Sequence, residues 1–270
     1  MVLGDEAHGF QAKSLVDIME KMTDCPYKIG LTGTLQEAKT HKLVLQGVFG
    51  DVCSVITTKE LMDRGQVAKL KITCLLLKYN EQLARELRHM DYDQEMEYLQ
   101  KHEKRNRFIR NLVESLEGNT LALFRNIEHG KLLYDMIRKK VGDNRNVYLV
   151  YGKTPVEDRE FVRKILEEQQ DAILVGSYGT LGTGADIQHL HNIVFTSPYK
   201  SKIKNLQSIG RGLRIGEFKN VANLYDLGDD ISYSTNRGNI HRNHALNHFI
   251  YRTHLYSDEK FDFRTIKIDI

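Results

Sequence analysis

The chain has 270 residues, 41% hydrophobic and 28% charged, enough for one large or two modest domains around a real core and unlike a disordered scaffold. Lys and Arg total 39 against 36 Asp and Glu, a net charge of +3, so bulk charge neither demands nor excludes a polyanionic partner. Three scattered cysteines (Cys25, Cys53, Cys74) exclude a disulfide framework or zinc ribbon and suit a reducing compartment, and no apolar run reaches the roughly 18–20 residues of a membrane helix.

The first residues carry no signal-peptide core, so a cytoplasmic protein with no membrane partner is expected. Val2-Leu3 reads as a buried strand running into Asp5-Glu6, and Leu15, Ile18, Met19 and Met22 then recur at helical spacing. Tyr27 to Leu31 is the next strand, ended by the turn Thr32-Gly33-Thr34. Leu43 to Gln46 closes a short helix, and Asp51 to Ile56 reads as extended. Thr57-Thr58 precede a helix over Lys59 to Arg64, with Gly65 ending it.

Leu70 to Leu77 is apolar and β-rich, and a domain boundary is expected near residues 66–80. Glu81 to Arg110 reads as one or two exposed helices. Strands then follow at Thr120 to Phe124, Asn146 to Tyr151, Ala172 to Val175, Asn192 to Phe195 and Val221 to Asp226. They alternate with helices at Glu128 to Lys140, Val156 to Gln169 and Ser201 to Leu213. Such alternation predicts an α/β fold, a parallel sheet covered on both faces. Ser232 to Ser257 is predicted as one long helix and Phe261 to Ile270 as an edge strand.

Four segments carry chemistry. Gly4-Asp5-Glu6-Ala7-His8 places two adjacent carboxylates at a strand tip, where one can hold Mg²⁺ and the other orient a water; taken alone it is equally a surface acidic turn. Leu31-Thr32-Gly33-Thr34 offers two hydroxyls around a glycine at a second strand end, and alone is an ordinary turn. Gly176 to Asp186 holds four glycines in nine residues after a strand, so its N–H groups can approach a phosphate, and Asp186 can accept from a ribose or an arginine. In Gln207 to Arg214, Gln207, Arg211 and Arg214 share one helical face and suit a phosphate chain, or a solvated basic face.

In order, type and spacing these four resemble motifs II, III, V and VI of superfamily-two helicases, and within that superfamily the chain resembles the UvsW-type recombination helicases of T-even-like phages. Asn119 to Phe124 with the following helix resembles their motif IV, and Thr57 to Val67 the segment leaving the first motor domain. The resemblance implies RecA-like parallel sheets with flanking helices: the C-terminal half of a first motor domain at 1–65, a linker and first strand at 66–80, and a complete second motor domain at 81–270. That second domain would carry a charged helical insertion at about 81–116 and a C-terminal helix at about 232–257.

The resemblance also implies roles. ATP with Mg²⁺ would be clamped between the two domains, Asp5 holding the Mg²⁺ and Glu6 the attacking water. His8, Thr32 and Thr34 would couple the ATP site to the nucleic-acid track. Gly182, Thr183, Gly184 and Asp186 would contact nucleic acid, ribose or the other domain. Gln207 would sense the nucleotide, and Arg211 and Arg214 would reach the γ-phosphate. The work implied is unwinding or remodelling of branched or single-stranded DNA in phage recombination and repair, in the host bacterial cytoplasm.

The family's Gly-x-x-x-x-Gly-Lys-Ser/Thr loop is absent from this sequence. Its absence removes the main phosphate cradle, and two rivals stand: a non-catalytic nucleic-acid-binding module, or half of a split helicase completed by a separate N-terminal chain. Residues 1–65 are expected to fold poorly alone, because their sheet lacks neighbours and exposes an open edge. An RNA helicase or restriction-type translocase would share the same motor. Residues 231–257 contain no acid, so a helix there can follow a phosphate backbone, or present a solvated basic face; His241, His244 and His248 fall roughly on one face of it. Tyr79, Tyr92 and Tyr98 are candidates for base stacking, with packing of the charged stretch on the second domain as the alternative.

Overall fold

The computed structural model describes residues 1–9, 13–33, 39–181, 189–201, 221–234 and 238–270. They divide into two units, one formed by Met1–Thr57 and the other by Thr58–Lys200 with residues 221–270. In the first unit, β1 (Val2–Gly4) pairs in parallel with β2 (Lys28–Gly30), alongside α1 (Lys13–Lys21) and α2 (Lys39–Phe49). Residues 52–57 form no regular element. Leu3, Ile29, Leu31 and Leu43 are exposed, so this pair buries little apolar surface.

The boundary between the units falls at Thr57/Thr58, not after residue 65. Helix α3 (Thr58–Asp63) belongs to the second unit: Met62 is buried, and Lys59 reaches Asp262 at 3.4 Å. Gly65, at φ +68°, ends that helix as expected. The first strand expected within 66–80 is β3 (Lys69–Lys78), next to the edge strand of a seven-stranded sheet.

The remaining helices of the second unit are α4 (Glu81–Glu86), α5 (Tyr92–Lys101), α6 (Glu103–Ser115), α7 (Ile127–Val141), α8 (Val156–Glu168), the single turn α9 (Tyr178–Leu181) and α10 (His244–Asp258). Its strands are β4 (Thr120–Phe124), β5 (Val147–Val150), β6 (Ile173–Ser177), β7 (Asn192–Phe195), β8 (Val221–Asp230) and β11 (Phe263–Asp269), with a small hairpin β9 (Tyr233–Ser234) and β10 (Ile240–His241). The sheet order is β11-β3-β8-β7-β4-β6-β5, parallel throughout. Right-handed crossovers put α4–α7 on one face and α8 and α10 on the other. Leu75, Leu77, Ala122, Phe124, Val175 and Leu227 meet the α4–α7 side chains in one core.

Strand β8 anchors both helical layers. On one face Asp229 accepts from Arg105 Nε at 2.7 Å and Nη2 at 3.0 Å, and from Tyr79 Oη at 2.9 Å. On the other Asp226 accepts from Arg252 Nε at 2.8 Å and Nη2 at 2.7 Å, and from Tyr256 Oη at 2.7 Å. All four ionic side chains are buried. Burial alone would lower the Arg252 guanidinium, but the Asp226 carboxylate outweighs it and holds the group above its ordinary value.

Two sequence expectations are corrected here. The charged stretch is three helices, and it is not a solvated surface: Glu95, Met96, Leu99, Arg105, Ile109 and Val113 are buried. Glu95 accepts from His244 N at 2.9 Å, Ala245 N at 2.7 Å and Asn243 Nδ2 at 2.8 Å, so a carboxylate from α5 satisfies the free N–H groups at the start of α10. The long helix expected over 232–257 begins only at His244, after the β9–β10 hairpin, and its Arg252 turns inward. His241 lies on β10 rather than on that helix. Among the described residues no three His, Cys, Asp or Glu side chains are placed to hold a metal ion.

Two outcomes are expected. Native-state amide exchange will show lower protection over Val2–Gly4 and Lys28–Gly30 than over Thr120–Phe124 and Ile173–Ser177; equal protection would refute the reading of the first unit as weakly held. Asp226→Leu will cost about 3–5 kcal/mol in urea unfolding by stranding the Arg252 charge, and adding Arg252→Met will recover most of that loss.

Candidate active site

In the first unit the two strands stay tied beyond their ends. Leu31 N–H donates to Gly4 O and Ala7 N–H to Leu31 O, both at 2.8 Å. A Cβ on Gly30 would meet Ala7 Cβ and the Phe49 ring at 3.0 Å, so glycine permits this close approach. Between them Glu6 adopts φ +48°, a left-handed backbone that costs a non-glycine residue about 1–2 kcal/mol. Its N–H donates to Asp5 Oδ1 at 2.9 Å. Both carboxylates are exposed. His8, on the turn of 3₁₀ helix Ala7–Gly9, has Nδ1 3.0 Å from Thr32 Oγ1 and 3.2 Å from Glu6 Oε2. One imidazole thus bridges a carboxylate on the first loop and a hydroxyl on the second.

In the second unit, the carboxyl ends of β4 and β7 open on a cavity of about 600 Å³, whose lining includes Tyr92, Lys101, Arg125, His129 and Ser197. Arg125 lies over the Tyr92 and Tyr199 rings at 5.8 and 5.7 Å and hydrogen-bonds Tyr92 Oη. Tyr199 in turn stacks on Tyr178 at 4.9 Å. Asn126 caps α7 through Glu128 N and His129 N. Of the three tyrosines proposed for stacking, Tyr79 is buried on Asp229 and Tyr98 packs on His102, which leaves Tyr92 at the cavity.

The family model for the helicase conserved C-terminal domain matches residues 103–216. The ATP-dependent DNA helicase uvsW of Enterobacteria phage T4 is 34% identical over 271 residues, covering 97% of this chain and 53% of that protein. The crystal structure of T4 UvsW superposes with a TM-score of 0.65 at 30% identity, over 100% of this chain and 54% of that one. Over nearly its whole length the chain is similar to the UvsW-type helicases of superfamily 2. It spans about half the length of the curated relatives it matches. The DNA-bound Type ISP restriction-modification enzyme LlaBIII shares the fold, at TM-score 0.64 and 14% identity, over 98% of this chain and 21% of that one.

Of the motif residues named from the sequence, Asp5, Glu6, His8 and Thr32 come together. Thr34, Gly182, Thr183, Gly184, Asp186, Gln207, Arg211 and Arg214 lie outside the described residues, as does the helix expected from Ser201 onward. The donor set at the first loop fits a hard divalent cation. Asp5 offers an exposed carboxylate engaged, among the described residues, only through Oδ1 by its neighbour's N–H, and Mg²⁺ is commonly held by one or two carboxylates plus substrate phosphates.

Arg125 and His129 were not singled out in the sequence. The available signal for Arg125 was its position directly after the buried strand Thr120–Phe124, where parallel sheets present ligand-binding loops. His129 had only its helical register. Its Nε2 sits 3.0 Å from Asn106 Oδ1, while Asn106 Nδ2 donates to Gln100 O, so Nε2 carries the proton and Nδ1 is a bare acceptor. Burial, reinforced by the Arg105 charge, holds His129 at about 3.

Above pH 6.5 the folded and unfolded forms both keep His129 neutral, and its contribution to stability is complete. Below 6.5 the unfolded chain gains a proton that the folded one refuses, down to about pH 3. Unfolding free energy is therefore expected to fall, through this group, by up to about 1.4 kcal/mol per pH unit between pH 6.5 and 4. His129→Gln will flatten that slope in urea titrations, and an unchanged slope would sink the assignment.

Proposed function

We propose that the chain is the motor portion of an ATP-dependent DNA helicase or translocase that remodels branched DNA in phage recombination and repair. The observation that carries this is the His8–Thr32 contact. Residues 24 positions apart, each at the tip of one of two paired strands, meet at 3.0 Å. An acidic surface turn and an unrelated glycine turn have no reason to converge in this way.

Asp5 would hold the Mg²⁺ of a bound Mg·ATP, and Glu6 would orient the attacking water and accept its proton as the new O–P bond forms and the bond to the ADP leaving group breaks. Bound Mg²⁺ supplies neutralisation of charge on the phosphate oxygens. His8 reads the state of Glu6 and passes it to Thr32, with Thr34 continuing the relay. Gln207 senses the nucleotide. Arg211 and Arg214 stabilise charge developing on the γ-phosphate, a contribution of roughly 10³–10⁵ in rate. Gly182, Thr183, Gly184 and Asp186 contact the nucleic-acid backbone, which makes translocation largely indifferent to base sequence.

The test is steady-state ATP hydrolysis with and without branched DNA, alone and with a polypeptide carrying a Gly-x-x-x-x-Gly-Lys-Ser/Thr loop. DNA-stimulated turnover is expected in at least one condition, and Glu6→Gln or Arg214→Ala will reduce it at least about 10³-fold. His8→Ala will leave basal turnover within about tenfold and abolish most of its stimulation by DNA. Salt-sensitive DNA binding with no turnover under any condition would instead make this a binding module.

A further inference from the structure

The seven-stranded sheet is covered unevenly. On the face that carries Leu75 and Leu77 under α4–α6, the same alternation continues down β3 to Thr73, Lys71 and Lys69. The register sets Asn223 of β8 beside Lys71 and Tyr225 beside Thr73. From the other side Arg264 of β11 falls opposite Thr73. Lys69, Lys71 and Arg264 are exposed, Asn223 and Tyr225 half-buried. Together they line an open cavity of about 850 Å³ at the amino ends of the strands.

Among the described residues, the side chains of Lys69 and Lys71 form no ion pair or hydrogen bond, and the Arg264 side chain makes only a 3.4 Å contact to Thr73 Oγ1. Three cations thus stand on one sheet face with a tyrosine ring among them and no carboxylate within that set; the nearest acids in the cavity, Asp63 and Asp262, both lie within 3.6 Å of Lys59 Nζ. Two residues along a strand advance by about 6.7 Å, close to the spacing of successive phosphates in an extended strand. A cationic row that follows a backbone, with an aromatic face for a base, is the arrangement that binds single-stranded nucleic acid.

We propose that this strip binds a single-stranded segment of nucleic acid through Lys69, Lys71 and Arg264 on phosphates and Tyr225 against a base. The ten residues of β3 span about 33 Å, and the strip lies at the amino end of the sheet. The Arg125 cavity belongs to its carboxyl end. The strip is therefore a second contact, suited to hold one strand of a branch while another is worked on. The inference rests on the helicase reading only for the identity of the polyanion.

The test is fluorescence anisotropy of a labelled oligothymidylate with the 270-residue chain across a salt series. Lys69→Gln/Lys71→Gln/Arg264→Gln is expected to weaken binding at least about tenfold at low salt and to lower the slope of log K against log salt by about 2. Lys69→Gln/Lys71→Gln, which breaks no hydrogen bond, will lower it by about 1.4. Crosslinking of a 5-iodouracil strand, followed by peptide mapping, will place an adduct on Tyr225. Unchanged affinity and slope in both variants, or no adduct within residues 221–230, would overturn the proposal. So would poly-glutamate binding as tightly and losing as much, which would assign the strip to an acidic polypeptide. Scored beside ATP turnover, strip binding without turnover removes the helicase reading alone, and turnover with an inert strip removes this inference alone.

Discussion

The second unit is organised around strand β8 and the two carboxylates it buries, one on each face. Asp229 grips Arg105 of α6, and Asp226 grips Arg252 of α10. Taking a charge out of water costs several kcal/mol, and the geometry must recover it through bidentate contact and extra donors. Both sites meet that demand. Each arginine also donates to main-chain oxygens, Arg105 to Thr196 O at 2.8 Å and Arg252 to Leu227 O at 2.8 Å. The arginines therefore fix helix to strand and also the chain leaving β7, since Thr196 directly follows that strand and Arg252 further reaches Tyr199 O at 3.2 Å.

Under the proposed function that bracing matters, because the chain after β7 leads on to Gln207, Arg211 and Arg214 in the sequence. A segment that has to present charged groups to a phosphate chain gains accuracy when its root cannot drift. Glu95 extends the same logic, tying α5 to the first turn of α10. Arg145 does so at the other end of the sheet, donating to the carbonyls of Leu116 at 2.7 Å and Gly118 at 3.1 Å where α6 gives way to β4. The buried charged residues Glu95, Arg105, Asp226, Asp229 and Arg252 are structural.

The sheet was legible in the sequence because strands such as β4 and β7 are short, largely apolar and bounded by turn residues. Thr120–Phe124 and Asn192–Phe195 fall where periodicity put them. The charged stretch was not legible as core. Arg105 lies on the same helical stripe as Ile109 and Val113, a weak signal, but its burial is decided by Asp229, 124 residues away. The start of α10 was missed for a similar reason: the acid that satisfies it sits on another helix. At the candidate site the residue types Asp5, Glu6, His8 and Thr32 were readable from motif spacing. Their contact was not, because it depends on which strands lie side by side. The strained backbone of Glu6 left no trace in composition at all.

That strain sets stability and chemistry against each other at a single position. Glycine accepts φ +48° freely, whereas glutamate holds it at a cost. The most stable residue for the loop is thus one with no carboxylate, while the proposed chemistry calls for one that the backbone resists. The neighbouring Ala7, buried against the strand, leaves the loop little room to relax around it.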